Sequence, residues 1–177
     1  MKKISVFLPF SGQSQTLETI RVFADSDAVS DIYIITSDPS VSLPGTRRID
    51  GNNGLLSTST MSEIAKSCGT EHFLFIRQET KIVPGQFCIE RFLQTADMTG
   101  AYLIYSDFYD VIHGKRSLHP VIDYQFGSLR DDFDFGPMML FNTAAFKAAV
   151  EEEKAEYLFA GLYDIRLKLS KNAPPLR

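Results

Sequence analysis

Short apolar runs recur along the chain, and four of them have the length of a buried β-strand. They are rich in β-branched and aromatic residues, which at this length favours a strand over a helix. Polar or turn-forming residues follow each run, as expected where a strand leaves the core. The four runs are Ile4–Phe10, Asp31–Thr36, Phe73–Ile76 and Tyr102–Tyr105. Two weaker patterns predict further strands at Arg47–Asp50 and Pro137–Phe141.

Between these strands, apolar residues recur at the three- and four-residue spacing of a helix. Leu17, Ile20 and Phe23 predict a first helix. Thr60 and Glu63 have the spacing of a capping box and predict the start of a second helix. The same spacing predicts further helices at about 89–96, 142–154 and 157–170.

Buried strands that alternate with amphipathic helices are typical of the α/β class, with a mostly parallel sheet covered by helices on both faces. In such folds, ligands bind where the strands reach their carboxyl ends. Asp107 and Asp110 follow the run Tyr102–Tyr105 and are therefore candidate metal ligands. They can ligate one ion only if the chain turns between them, because an extended strand points them to opposite faces. The alternative for Asp107 is a carboxylate that accepts hydrogen bonds from loop N–H groups.

The second half of the chain departs from this alternation. Residues 111–129 contain no comparable apolar run. The last residues, Asn172–Arg177, include two prolines that cannot continue a helix. We therefore expect a frayed tail at this end.

Composition limits the classes of function. A chain of 177 residues suits one domain, which buries roughly 70% of its unfolded surface. The net charge of −4, without a run of Lys or Arg, argues against nucleic acid as a partner. Cys68 and Cys88 occur without an apolar signal segment, which favours a reducing cytosol over a disulfide framework. No apolar run approaches the ~18–20 residues that cross a bilayer, so we expect any membrane contact to be peripheral.

In their order and spacing, these segments resemble family 2 glycosyltransferases, which have the GT-A fold. The first strand, ISVFLPF at Ile4–Phe10, is similar to the S-V-I-I-P type of strand that opens the family's catalytic domain. DIYIITSD at Asp31–Asp38 occupies the place of its second strand, which ends in acidic residues. HFLFIRQETKIVPG at His72–Gly85 looks like the segment that carries the family's Asp-x-Asp and the Pro-Gly beyond it. Similar segments continue at Ala101–Asp110, Phe135–Phe141 and Tyr163–Ser170.

The resemblance implies transfer of a sugar from a nucleotide-sugar donor, often UDP- or GDP-linked, to a polysaccharide or lipopolysaccharide acceptor. In this family Mg²⁺ or Mn²⁺ usually bridges the diphosphate, and a carboxylate acts as general base for an inverting displacement. Pro9, Phe10 and Asp38 fall at positions that would contact the nucleotide. Residues 1–100 would form the nucleotide-binding half of a single domain, and residues 101–177 its acceptor-side half. The chain is short for the family, so we expect it to be the donor-binding portion of a longer protein.

Two family motifs are altered. Arg77-Gln78-Glu79 stands where the family has Asp-x-Asp, so one carboxylate is lost and a cation is gained. Arg77 is therefore a candidate to neutralise the diphosphate directly, with Glu79 beside it; the alternative is a simple Arg–Glu pair. Gly161-Leu162 stands where the family has the Glu-Asp pair that includes the base. Asp164 is a candidate substitute if the register differs by two residues, and otherwise a solvated carboxylate.

Acidic residues are concentrated in one further segment, HPVIDYQFGSLRDDFDFG. Arg130 is a candidate clamp for the diphosphate or a charged acceptor, since guanidinium donors bind oxyanions in pairs. Asp131 and Asp132 are candidate bases. The alternative is a solvated turn with an internal ion pair. Tyr109 is a candidate to line a base or sugar pocket, although most aromatic residues must serve packing.

Two classes of function remain open. One is an active glycosyltransferase with a rearranged acidic site, located in the cytoplasm or at the inner face of the membrane. The other is a non-catalytic GT-A-like module that binds a nucleotide, a glycan or a partner enzyme. The acids at Asp107–Asp110 and Asp131–Asp134 favour the first class. A sugar nucleotidyltransferase is disfavoured, because the loop at Phe10–Gln13 has one glycine and no cation.

Overall fold

The apolar runs form one sheet that is covered by helices on both faces. The computed structural model describes residues 3–125, 133–173 and 175–177. The strands are β1 Ile4–Pro9, β2 Val29–Thr36, β3 Thr46–Asp50, β4 His72–Ile76, β5 Leu103–Ile104, β6 Phe108–Ile112, β7 Lys115–His119 and β8 Met138–Asn142. The helices are α1 Ser14–Ala24, α2 Thr58–Ser67, α3 Cys88–Thr99, α4 Thr143–Glu151 and α5 Gly161–Asn172.

The strands of the main sheet lie in the order β3-β2-β1-β4-β8-β5. Pairing is parallel from β3 through β4, while β8 runs antiparallel to both β4 and β5. Strands β1 to β5 therefore all end at the same side of the sheet, which we call the carboxyl edge. The predicted α/β class with a mostly parallel sheet is confirmed.

Alternation along each strand divides the core into two layers. Phe7 packs on the side of α2, α4 and α5, where its ring stacks on Tyr33 at 4.5 Å between centroids. Its neighbours Val6 and Leu8 pack on the opposite side, with α1 and α3. Both sides of the central strands are fully buried, which explains why the sequence shows continuous apolar runs there.

Two helices begin elsewhere than predicted. The cap of α2 is Ser57, whose Oγ accepts a hydrogen bond from the backbone N–H of Thr60, so the predicted capping box at Thr60 is wrong. Helix α5 begins at Gly161 because the preceding segment is tied to the first turn of α2. The N–H of Thr58 donates to the carbonyl of Tyr157 at 2.9 Å. The N–H of Tyr157 donates to Oγ1 of Thr58 at 3.0 Å.

A hairpin occupies part of the segment that showed no apolar run. Strands β6 and β7 pair antiparallel, and His113 and Gly114 turn the chain with φ values of 50° and 77°. Two positive φ angles in a two-residue loop are typical of a hairpin turn that matches the twist of its strands. Its residues are largely exposed, so the apolar pattern did not reveal it; the His113-Gly114 dipeptide was the available signal.

The prediction of a frayed tail is wrong. Leu176 forms a parallel bridge with Ile104 at the edge of β5. Its carbonyl accepts a hydrogen bond from the N–H of Tyr105, and its own N–H donates to the carbonyl of Leu103. The edge of the short strand β5 offers unpaired backbone groups, and their hydrogen bonds with Leu176 hold the tail in place although the prolines end the helix. In the part of the chain that the structure describes, no helix is long and apolar enough to cross a membrane.

Candidate functional site

The loops that follow β1 and β4 meet at the carboxyl edge through one carboxylate. Oε2 of Glu79 accepts hydrogen bonds from the backbone N–H of Ser11 at 2.8 Å and from its Oγ at 2.7 Å. Glu79 thereby fixes the loop after β1 against the loop after β4. One of its two oxygens is committed to this contact. Glu79 has no ion pair with Arg77, so the alternative of a simple Arg–Glu pair is wrong.

Arg77 lies at the end of β4 and is half-buried. Its backbone N–H donates to the carbonyl of Pro137 at 3.1 Å, which joins the end of β4 to the start of β8. Its side chain has no ion pair with any acid in the described part of the chain. A cation is thus held at the carboxyl edge without a charged partner among those residues.

A second cation, Arg166 on α5, is buried nearby with only 5% of its surface exposed. Its guanidinium carbon lies 4.7 Å from the ring centroid of Phe135 and 5.8 Å from that of Tyr163. Nε and Nη1 are buried and have no hydrogen-bond partner among the described residues. Burial, and then the charge of Arg77, lower the pKa of Arg166 to about 10. The sequence pattern did not single out this residue.

The three residues that the resemblance places at the nucleotide, Pro9, Phe10 and Asp38, differ in their surroundings. Pro9 ends β1, and Phe10 is buried with the apolar cluster beside α1 and α3. Asp38 closes a turn in which its Oδ1 accepts from the N–H and Oγ of Ser40, at 2.8 and 2.6 Å. These hydrogen bonds hold the pKa of Asp38 below its ordinary value. Their role in nucleotide binding stays a prediction.

Asp107 and Asp110 have different partners. Oδ1 of Asp107 accepts a hydrogen bond from the N–H of Val121 at 2.9 Å and lies 3.6 Å from Nη1 of Arg177. Oδ2 of Asp110 lies 2.9 Å from Nδ1 of His119. Asp107 thus accepts a hydrogen bond from a loop N–H group, which was the alternative to its role as a metal ligand. Their joint role as metal ligands stays a prediction.

The hairpin carries a histidine between two carboxylates. Nε2 of His119 lies 3.3 Å from Oδ2 of Asp134, and its ring stacks on Phe108 at 4.3 Å. The hydrogen bond to Asp110 is the main cause that raises the pKa of His119. Tyr109 alternates to the other face of the hairpin, where 61% of it is exposed.

Asp164 belongs to an ionic cluster on the side of α5 that faces α4. Its Oδ2 lies 2.6 Å from Nζ of Lys168, which also lies 2.8 Å from Oε2 of Glu153. Burial, and then the hydrogen bond to Glu153, raise the pKa of Asp164. Two positions along a helix rotate a side chain by about 200°, so Asp164 points away from Arg166. Its role as a base stays a prediction.

The position of the family's acidic pair is filled by close packing. A Cβ at Gly161 would lie 2.5 Å from the backbone N of Thr58 and 2.6 Å from the carbonyl carbon of Ser57. Leu162 beside it is buried in the core. A carboxylate therefore has no room at Gly161. The other predicted base and clamp residues, Arg130, Asp131 and Asp132, lie outside the described residues.

A polar cleft of about 520 Å³ lies at the end of β3, against α2. None of the predicted site residues lines it. The chemistry expected from the sequence is therefore located elsewhere than in this cleft. The cleft is lined by Asp50, Asn52, Asn53, Ser59, Ser62, Glu63, Lys66 and Glu156.

Solved structures share this fold at low sequence identity. TarS residues 1–349 from S. aureus match with a TM-score of 0.62 and 11% identity, over 94% of this chain and 55% of that one. The chain thus spans about half the length of that structure. No family model matches the sequence, and no curated protein shows significant similarity to it.

Two nucleotidyltransferases are also similar. The 2-C-methyl-D-erythritol 4-phosphate cytidylyltransferase from Thermus thermophilus matches with a TM-score of 0.54 and 13% identity, over 100% of this chain and 88% of that one. CMP:2-keto-3-deoxy-manno-octonic acid synthetase complexed with CTP matches with a TM-score of 0.55 and 12% identity, over 97% and 86%. The chain therefore has the fold of nucleotide-diphospho-sugar transferases.

Proposed function

We propose that the chain binds a nucleotide-activated sugar at the carboxyl edge of its sheet and transfers the sugar to a glycan acceptor. The observation that carries this proposal is the junction of the loops after β1 and β4. There Glu79 holds Ser11, and the cation Arg77 stands beside the junction without an acidic partner among the described residues. A polar ligand with phosphate groups fits the carboxyl edge of an α/β sheet.

The similar structures support the nucleotide part of the proposal. One of them, CMP:2-keto-3-deoxy-manno-octonic acid synthetase, was solved with CTP. The fold alone does not choose between sugar transfer and nucleotidyl transfer. The loop after β1 favours sugar transfer, because Phe10–Gln13 lacks the glycine-rich, basic pattern that cradles a triphosphate.

In this proposal several of the predicted residues keep their roles. Arg77 contacts the diphosphate, Asp38 the ribose or base, and Tyr109 the sugar or acceptor. Asp131 or Asp132 acts as the base of an inverting transfer. The acceptor is a polysaccharide or lipopolysaccharide at the cytoplasmic face of a membrane.

The family's divalent ion does not fit the residues at the end of β4. Mg²⁺ and Mn²⁺ require several oxygen ligands, and here Glu79 supplies one carboxylate that already accepts two hydrogen bonds. Arg77 adds a positive charge at the same place, which opposes a cation. Asp107 and Asp110 are the remaining candidates for a metal elsewhere on this edge.

A second candidate function is a non-catalytic binding module of the same fold. The packing of Gly161 against α2 favours it, because the usual base has no room at its family position. The two functions share nucleotide binding and differ in turnover. They are separated by whether a bound sugar nucleotide is consumed.

The first experiment is calorimetric titration with UDP, GDP, CDP and their sugar conjugates, with Mg²⁺ or Mn²⁺ and then with chelator. We expect saturable binding of one nucleotide. We expect Arg77→Gln to weaken that binding roughly tenfold or more, since a hydrogen bond to a charged group contributes about 1.5–3 kcal/mol.

Arg91→Gln is the matched control, because Arg91 is exposed on α3. It should bind nucleotide like the unsubstituted chain. Absence of binding at millimolar nucleotide, in a folded sample, would overturn the proposed function. Binding without release of free nucleotide from any sugar conjugate, in the presence of glycan acceptors, would favour the binding module.

A further inference from the structure

Arg166 is a charged residue buried without compensation by the described residues. It is 5% exposed, and Nε and Nη1 have no hydrogen-bond partner there. It forms no ion pair with an acid of the described residues, whereas Lys168 on the same helix pairs with two. Buried charges in proteins are normally paired or bind an ion, because desolvation of an isolated charge is costly. The arrangement therefore indicates that an anionic ligand can bind here.

Aromatic rings hold the guanidinium at a defined place. It lies over Phe135 at 4.7 Å and beside Tyr163 at 5.8 Å, within the range of cation–π attraction. Phe135 lies shortly before β8 in the chain. At the start of β8, Pro137 accepts the hydrogen bond from the N–H of Arg77. The ring of Phe135 therefore holds Arg166 two residues along the chain from the carbonyl that accepts the hydrogen bond of Arg77.

Arg77 and Arg166 both contact the short segment Phe135–Pro137, Arg77 through its backbone N–H and Arg166 through the ring of Phe135. Burial, and then the like charge of Arg77, lower the pKa of Arg166. No acid of the described residues pairs with either guanidinium. An oxyanion between them would neutralise both, and guanidinium groups bind phosphate oxygens through paired donors.

We propose that Arg77 and Arg166 form an anion site that binds the diphosphate of a nucleoside diphosphate. The proposal rests on the proposed function and deepens it. In this site Arg77 and Arg166 neutralise the charge of the diphosphate. A metal ion would have that role if the end of β4 carried enough ligands for it. Nucleotide binding would then require no divalent ion.

The test compares variants in the presence of chelator, with UDP, CDP and GDP as probes. Arg166→Met keeps an unbranched side chain against Phe135 and removes the charge. We expect it to weaken binding of the preferred diphosphate roughly 10- to 100-fold, from the strength of charged hydrogen bonds. Binding of the corresponding nucleoside should not change. Arg166→Lys should retain part of the affinity for the diphosphate.

Arg47→Gln is the matched control, because Arg47 is exposed on β3 and paired with Asp31 at 3.1 Å. It should bind the diphosphate like the unsubstituted chain. If Arg166→Met binds the diphosphate as tightly as the unsubstituted chain, the anion site is overturned and the proposed function remains intact. Strict dependence of binding on Mg²⁺ or Mn²⁺ would overturn it as well.

A chain that binds no nucleotide would refute the proposed function, and the anion site would then be tested with inorganic pyrophosphate. Pyrophosphate should raise the melting temperature of the unsubstituted chain and not that of Arg166→Met. An equal rise in both, or no rise in either, would overturn the anion site.

Discussion

At the scale of single residues, the buried charge of Arg166 lowers the stability of the fold, whereas the proposed anion site requires that charge. The fall of its pKa to about 10 corresponds to roughly 3 kcal/mol of destabilised charge. The cation–π contacts with Phe135 and Tyr163 offset about 1–2 kcal/mol of that cost. An apolar side chain would pack at this position without the cost of burying a charge.

We predict that Arg166→Met raises the free energy of unfolding by about 1–2 kcal/mol while it weakens diphosphate binding. The physical reason is removal of an uncompensated buried charge with little change in side-chain volume. Urea denaturation at neutral pH measures the effect. Arg47→Met serves as the control and should change the stability by less than about 1 kcal/mol. A clear loss of stability in Arg166→Met would show that the cation is structural.

The sequence could not reveal the burial of Arg166. Of the apolar stripe predicted for the last helix, Leu162, Ile165 and Leu169 are buried, whereas Leu158 lies before α5 and is exposed. Arg166 lies beside that stripe and has the pattern of a solvated charge. Its environment depends on Phe135, which comes about thirty positions earlier in the chain.

At the scale of elements, the hairpin β6–β7 is anchored by His119. The imidazole lies between Asp110 on the paired strand and Asp134 before β8. Antiparallel pairing brings residues 110 and 119 together, and no spacing rule along the chain predicts that contact. The sequence therefore placed His119 and Asp134 in one charged segment but gave no signal for the contact of His119 with Asp110.

We predict that the hairpin is held more firmly at mildly acidic pH. The hydrogen bond to Asp110 raises the pKa of His119 above its ordinary value of 6.5. Protonated His119 therefore stabilises the folded hairpin fully below pH 6.5, and this contribution is lost as pH rises through the raised pKa. NMR titration of the imidazole measures that pKa.

Asp110→Asn is the informative variant for this prediction. It removes the main cause of the raised pKa and preserves the shape of the side chain. The titration of His119 should then move to lower pH, and amide exchange in the hairpin should depend less on pH. A pKa at or below 6.5 in the unsubstituted chain would contradict the prediction.

At the scale of the whole molecule, the two halves of the chain share one sheet. Strand β8 comes from the second half and lies between β4 and β5 of the main sheet. The sequence predicted the strand but not its direction, because an apolar run such as Met138–Phe141 reads the same in either orientation. Parallel strands were recognisable only from the helices that connect them.

The halves also meet where α5 begins against α2. We predict that Gly161→Ala lowers the free energy of unfolding by about 2–3 kcal/mol, because the new Cβ meets backbone atoms that cannot move independently. Urea denaturation measures the change. Gly69→Ala is the control, since a Cβ at Gly69 meets nothing within 4 Å. Equal stability of both variants would show that the α2–α5 contact is loose.

The contact at Gly161 also limits how this chain can evolve. Any side chain at this position collides with the first turn of α2, so a glutamate cannot be introduced by one substitution without a shift of the whole junction. A carboxylate at this position would therefore require α5 to move away from α2.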